Sequence, residues 1–122
     1  MKLTFIGLLL AAAAWGHHSF AAEFDGSKVM TVKGTVTKFE WMNPHSYFYL
    51  DAPDASGNLV RWGIQSRNLS ILSRQGWTKN TLKPGEVITV TFWHHKEPDK
   101  NIGFAQTIVK ADGTTLDVQP GR

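Results

Sequence analysis

From Met30 onward the chain alternates between apolar and polar positions. Val32, Gly34 and Val36 share one face, and Thr31, Lys33, Thr35 and Thr37 take the other. That period of two predicts a half-buried strand. At Lys38 the alternation slips, and Phe39 and Trp41 become the apolar positions. One extra residue swaps the two faces of a strand, so the slip predicts a β-bulge near Lys38. Gly34 marks a point where the strand bends. Asn43-Pro44 breaks the strand. His45 to Asp51, with Tyr47, Phe48 and Tyr49, is a second strand. Leu59 to Ile64 is a third, with Val60, Trp62 and Ile64 on one face. The turn cluster Asp54-Ala55-Ser56-Gly57-Asn58 joins these two as a hairpin.

Leu69, Ile71 and Leu72 carry the helical spacing of the chain. Ser66 or Asn68 is positioned to cap the start of that helix. Gly76 suits the left-handed residue just past its end, with Trp77 packing back on Leu72 or Ile71. Leu82-Lys83-Pro84-Gly85-Glu86 is a turn. In the fourth strand, Val87 to Trp93, the residues Ile88, Val90 and Phe92 alternate with Thr89, Thr91 and Trp93. A polar loop from His94 to Asn101 follows. Phe104, Gln106 and Ile108 open a fifth strand on one face, and the turn at Asp112-Gly113 returns Thr115 to Val118 as a short terminal strand. The order β-β-β-α-β-β, with a long bulged first strand, predicts an all-β fold with one short helix. A small OB-fold-like barrel of five to six strands fits that order. A small open β-sandwich or roll is the rival arrangement.

The amino terminus follows a different pattern. Met1-Lys2 supplies a positive charge, and Leu3 to Ala14 is an almost unbroken apolar run. A bilayer span needs ~20 apolar residues, so the run is too short to cross. The small-x-small sequence Ala14-Trp15-Gly16 completes the order of a secretory signal peptide over residues 1–16. Residues 17–29 then form an irregular lead-in, and residues 30–119 the folded domain. Cleavage after Gly16 makes His17 the mature amino terminus. A rival site, Ser19-Phe20-Ala21, discards both His17 and His18. The expected location is the periplasm or the exterior, with no stable membrane span after cleavage.

Composition narrows the class further. Hydrophobic residues are 42% and charged residues 19%, which is globular rather than disordered. Roughly one hundred residues remain after the signal, enough for one domain. The formal charge is +3, with Lys2 in the signal, too little to argue for nucleic acid. The chain has no cysteine, which excludes disulfides, thiol catalysis and thiolate metal sites.

Several motifs stand together: His17-His18-Ser19-Phe20, Lys33-Gly34-Thr35-Val36, Glu40-Trp41-Met42-Asn43-Pro44-His45, Gly76-Trp77-Thr78 and Leu82-Lys83-Pro84-Gly85-Glu86. In these motifs the chain resembles an uncharacterised family of small exported bacterial proteins. The resemblance spans the mature chain. It implies export and a small β domain, brings no established activity, and draws attention to the histidines.

The five histidines fall in three places: His17-His18, His45 and His94-His95. An amino-terminal histidine chelates a metal through its amine and its ring Nδ1. A second histidine completes a three-nitrogen site suited to Cu(II). That ligand set resembles the histidine brace of exported copper proteins. His18 is an additional ligand candidate, and Met42 a soft axial one. The plainer account of His45 is that Asn43 and His45 tie a barrel corner by hydrogen bonds. Adjacent strand residues face opposite sides, so at most one of His94 and His95 joins a shared site. Copper is the expected cofactor, before zinc.

Trp41, Trp62, Trp77, Trp93, Tyr47, Phe48 and Tyr49 are many aromatics for one small domain. OB-folds stack sugars or bases on exposed rings. Trp62 alternates with Val60 and Ile64 and is expected inside. Tyr47 and Tyr49 lie opposite Phe48 and are the better exposed candidates. A metal-free adaptor uses Trp41, Asn43, Tyr47, Tyr49 and Trp93 to hold a peptide, a glycan or a periplasmic protein partner. No nucleophile elbow, phosphate loop or zinc helix is present in the sequence. The expected function is therefore a non-catalytic binding module for a metal ion or small ligand.

Overall fold

The computed structural model describes residues 20–118. A long first strand, β1 (Phe24–Glu40), organises them. Its amino-terminal half pairs with β4 (Val87–His95), from Val29 opposite Trp93 to Thr35 opposite Val87. Its carboxy-terminal half pairs with β2 (Tyr47–Pro53), which forms a hairpin with β3 (Leu59–Gln65). The bulge that the sequence predicts is present. The β1–β2 register shifts between Val36 and Lys38, leaving Thr37 as the extra residue. Val36 therefore points to the core, and so does Phe39.

Beyond β3 come the helix α1 (Leu69–Arg74), then β4, β5 (Ile102–Lys110) and the short β6 (Thr115–Asp117). Residues 20–23 form a single helical turn. The fold is mostly β, one six-stranded sheet in the order β3-β2-β1-β4-β5-β6. Neighbours in that order run antiparallel. One further pairing is parallel: Gly63, Ile64 and Gln65 of β3 lie against Ile102, Gly103 and Phe104 of β5. No helix among the described residues is long and apolar enough to cross a membrane.

The core collects the inward positions of every long strand: Val36, Phe48, Leu50, Trp62, Ile64, Ile88, Val90, Phe92 and Ile108. Leu72, Trp77 and Leu82 close it from the α1 side. Gly34 has no room for a side chain, because a Cβ there lies 2.5 Å from the Asp51 carbonyl oxygen and 2.9 Å from Ala52 Cβ. Helix α1 begins at Asn68, whose side chain accepts from the Ile71 N–H at 2.9 Å. It ends at Gly76, with φ of 88°. The Gly76 N–H donates to the Ser73 carbonyl, and the Trp77 N–H to the Leu72 carbonyl. Those two bonds are a Schellman stop, which needs a left-handed residue where glycine stands.

Four expectations are corrected. The lead-in was expected to run to residue 29, but the strand starts at Phe24, where Phe24 pairs with His95. Residues 25–28 then bow out of register, held by the Asp25 carboxylate, which accepts from the Ser27 N–H and Oγ–H. The second strand begins at Tyr47 rather than His45 and continues to Pro53. His94 and His95 are not loop residues, because β4 continues through both. Phe104 and Ile108 do not share a face. A second register shift, in which Thr91 opposes Thr107 but Phe92 opposes Ala105, leaves Gln106 unpaired and swaps the faces of β5.

Candidate functional site

That shift sends Phe104 to the face opposite the core, where it meets an aromatic cluster. Phe20, Phe24 and Trp93 lie against it, with ring centroids 5.4–6.2 Å apart in the Phe20–Trp93, Phe20–Phe104, Phe24–Phe104 and Trp93–Phe104 pairs. The Glu23 carbonyl accepts from the Lys96 N–H, which fastens the helical turn to the end of β4. Next to this cluster the parallel β3–β5 pairing brings Gln65 level with Phe104. A cavity of about 350 Å³ opens there, lined by Phe20, Glu23, Phe24, His45, Tyr47, Gln65, Arg67 and Phe104. A second cavity of about 330 Å³ shares Glu23 and Tyr47 with the first, and adds Tyr49, Gly63, His95, Lys100 and Ile102.

Several polar groups converge on the first cavity. The Tyr47 hydroxyl donates to Gln65 Oε1 at 2.6 Å. His45 packs its ring 6.3 Å from Phe104, and its Nδ1 is buried without a hydrogen-bond partner. Burial pushes the Tyr47 hydroxyl above its ordinary pKa, and the charges of Glu23 and Glu40 push the same way. Tyr49 is raised for the same first reason, and next by its hydrogen bond to Glu40. Both phenols therefore stay protonated donors at neutral pH. The two rings stack at 6.5 Å with planes 17° apart. Gly63, directly opposite Tyr49 in the β2–β3 pair, gives the floor of the second cavity no side chain.

The predicted site residues divide into groups. His45 and His95 line the two adjoining cavities. His95 Nδ1 accepts from the Glu97 N–H at 3.0 Å, so Nε2 is the ring nitrogen left for a ligand. His94 points the other way, is buried, and packs edge-on to Trp62 at 5.7 Å. Its Nδ1–H donates to the His95 carbonyl. His17 and His18 lie outside the described residues, as does the proposed signal peptide. Tyr47 and Tyr49 line the groove, whereas Trp93 lies beneath Phe20 and outside the lining. Trp41 packs on Phe39 at 5.9 Å. Asn43 holds the corner, because its Oδ1 accepts from the Leu69 N–H at 3.0 Å. Met42 is 44% exposed.

Among the described residues, no group of three or more His, Cys, Asp or Glu side chains is placed to hold a metal ion. Sequence reasoning missed Glu23, Gln65, Arg67 and Phe104. An aromatic at Phe104 beside Gly103 was the available signal, but the face it takes depends on the bulge at Gln106.

No curated protein matches the chain, and no solved structure does. One family model matches residues 7–104. With that match across most of its length, the chain belongs to DUF6152, a family of unknown function.

Proposed function

We propose that the protein is an exported, non-catalytic binding module with an OB-like barrel that holds a transition metal, copper before zinc, beside His45. The observation that carries this reading is that His45 lines a cavity whose wall includes Phe20, while its buried Nδ1 has no hydrogen-bond partner. Phe20 follows His17 by three residues, and three extended residues span up to ~10 Å. That length puts a mature amino terminus at His17 within chain reach of the cavity. Its amine and ring, with His45, supply three nitrogens of the kind that favour Cu(II). His18 and the Nε2 of His95 are further donors. Since the described residues hold no complete ligand set, this site depends on the terminus, and His94 leaves it.

The barrel reading is supported by the strand pairings. The parallel β3–β5 pair links the two arms of the sheet, giving the circuit β1-β2-β3-β5-β4-β1. OB-folds take ligands on the face of their second and third strands and on the loops after the first and fourth. The groove lies on that face, between the 41–46 corner and the 96–101 loop. Export rests on the signal-peptide pattern of residues 1–16.

Titration of the correctly processed protein with Cu(II) tests the metal. One equivalent binds tightly, and the His17→Ala, His45→Ala double variant loses that binding. Unchanged stoichiometry and affinity in the double variant refute the assignment.

A second reading rests on the stacked Tyr47–Tyr49 pair above Gly63. Those rings form a metal-free platform for a glycan, a peptide or a periplasmic partner. Binding of such a ligand that survives a chelator and is lost in Tyr49→Ala favours it.

A further inference from the structure

The first cavity also holds a cation that no acid among the described residues pairs with. Arg67 stands between β3 and α1 and is partly buried. Its Nε–H donates to the Val118 carbonyl at 3.2 Å, and its guanidinium carbon sits 4.9 Å from the centre of the Phe104 ring. These two contacts engage Nε and one face of the guanidinium, and neither uses Nη1 or Nη2. No ion pair joins Arg67 to a carboxylate among the described residues. Arg61 has Asp51, Lys100 has Glu97, and Lys110 has Glu86. Burial lowers the Arg67 pKa, with no opposing contribution from an acid. A charge withdrawn from water without a counter-ion is costly, and a ligand anion removes that cost.

The rest of the cavity sets the shape of such a ligand. Phe20, Phe24 and Phe104 give it an apolar wall. Tyr47 and Gln65 are already bonded to one another and so make few further demands. Glu23 is exposed at the rim, where it disfavours a second negative charge.

We propose that this cavity binds a small organic monocarboxylate with an apolar body. The carboxylate takes the two Nη groups of Arg67, whose planar fork matches its two oxygens. The body lies against Phe20, Phe24 and Phe104. A cavity of about 350 Å³ is within the range of small-molecule sites. The site shares its cavity with His45 but takes its charge from Arg67 rather than from a metal, so binding in the presence of a chelator separates it from the copper reading.

The test is a titration of the processed protein with benzoate in the presence of EDTA, read by tryptophan fluorescence. Trp93 lies 5.4 Å from Phe20 and 6.2 Å from Phe104, so it reports on that wall. Benzyl alcohol and inorganic phosphate are the controls. Benzoate binds saturably and more tightly than either control. Arg67→Gln weakens it about ten-fold or more, the usual scale for a charge-assisted bond. Arg67→Lys, which keeps the charge but loses the fork, weakens it several-fold and decides the matter if Arg67→Gln does not fold. Benzoate binding unchanged in Arg67→Lys overturns the proposal. So do benzyl alcohol binding as tightly as benzoate, no saturation in the millimolar range, and phosphate binding more tightly than benzoate.

Discussion

The Tyr47 hydroxyl reaches straight across the β2–β3 pair to Gln65 Oε1, at 2.6 Å, between two residues directly opposed in register. Gln65 is only 6% exposed, so this bond satisfies an amide oxygen with little access to water. It also fixes the edge of the groove where β3 meets β5.

Tyr47→Phe removes that donor and leaves the Gln65 oxygen short of a partner. The expected loss is about 1–2 kcal/mol of unfolding free energy, the scale of an orphaned buried acceptor. Urea denaturation of the two proteins measures it. A change within a few tenths of a kcal/mol, with unchanged slope, counts against a structural role for the bond.

Tyr47 and Tyr49 are the only tyrosines in the chain, so phenolate absorbance reports the groove alone. Both pKa values are raised, first by burial. Folded protein therefore resists ionisation at pH 10, where the denatured chain is half ionised. The sign for stability follows. Above the ordinary pKa of 10.0 the unfolded chain has lost protons that the folded one keeps, so stability falls as pH rises through that value. Titration at 295 nm in native buffer and in urea gives both midpoints. Coincident midpoints contradict the raised pKa of the two half-buried phenols.

Gly34→Ala places a methyl group 2.5 Å from the Asp51 carbonyl oxygen, a backbone atom that yields only if β1 and β2 separate. The expected cost is about 1–3 kcal/mol, as for other overpacked interiors. Thermal and denaturant unfolding both read it. A neutral substitution shows that the strands have room to part.

Asn43 and Asn68 each satisfy an N–H in the first turn of α1, those of Leu69 and Ile71. Asn43→Ala and Asn68→Ala each cost about 1 kcal/mol, the usual value of a cap. The copper binding proposed above is expected to be unchanged in Asn43→Ala, because that side chain serves the helix start. Loss of copper without loss of stability in Asn43→Ala reverses the assignment.

Much of this fold is written in local alternation. The slip at Lys38 marked the first bulge because apolar residues on both sides of it show the change of face. The second bulge left no such mark. Phe104, Gln106 and Ile108 alternate as one face, and only the pairing with Phe92 and Thr91 shows that Gln106 is the extra residue. Polar character hid the end of β4, where His94 is packed under Trp62. The plainer account of that corner holds for Asn43, which accepts from the Leu69 N–H, but not for His45, whose buried Nδ1 has no hydrogen-bond partner. The lining by Gln65, Arg67 and Phe104 was illegible for a different reason. It arises where two distant strands meet, and neither strand alone carries a sign of the other.

The β3–β5 contact joins segments about forty residues apart in the chain. The β2–β3 hairpin forms from neighbours, but this contact and the β1–β4 pairing require long loops to close. Sheets dominated by such pairings fold on the millisecond-to-second scale. The cavity beside Phe104 comes into existence only when the loop to β5 has closed. A site on that wall is therefore complete only once the β3–β5 pair has formed, and its appearance during refolding times the closure of that contact.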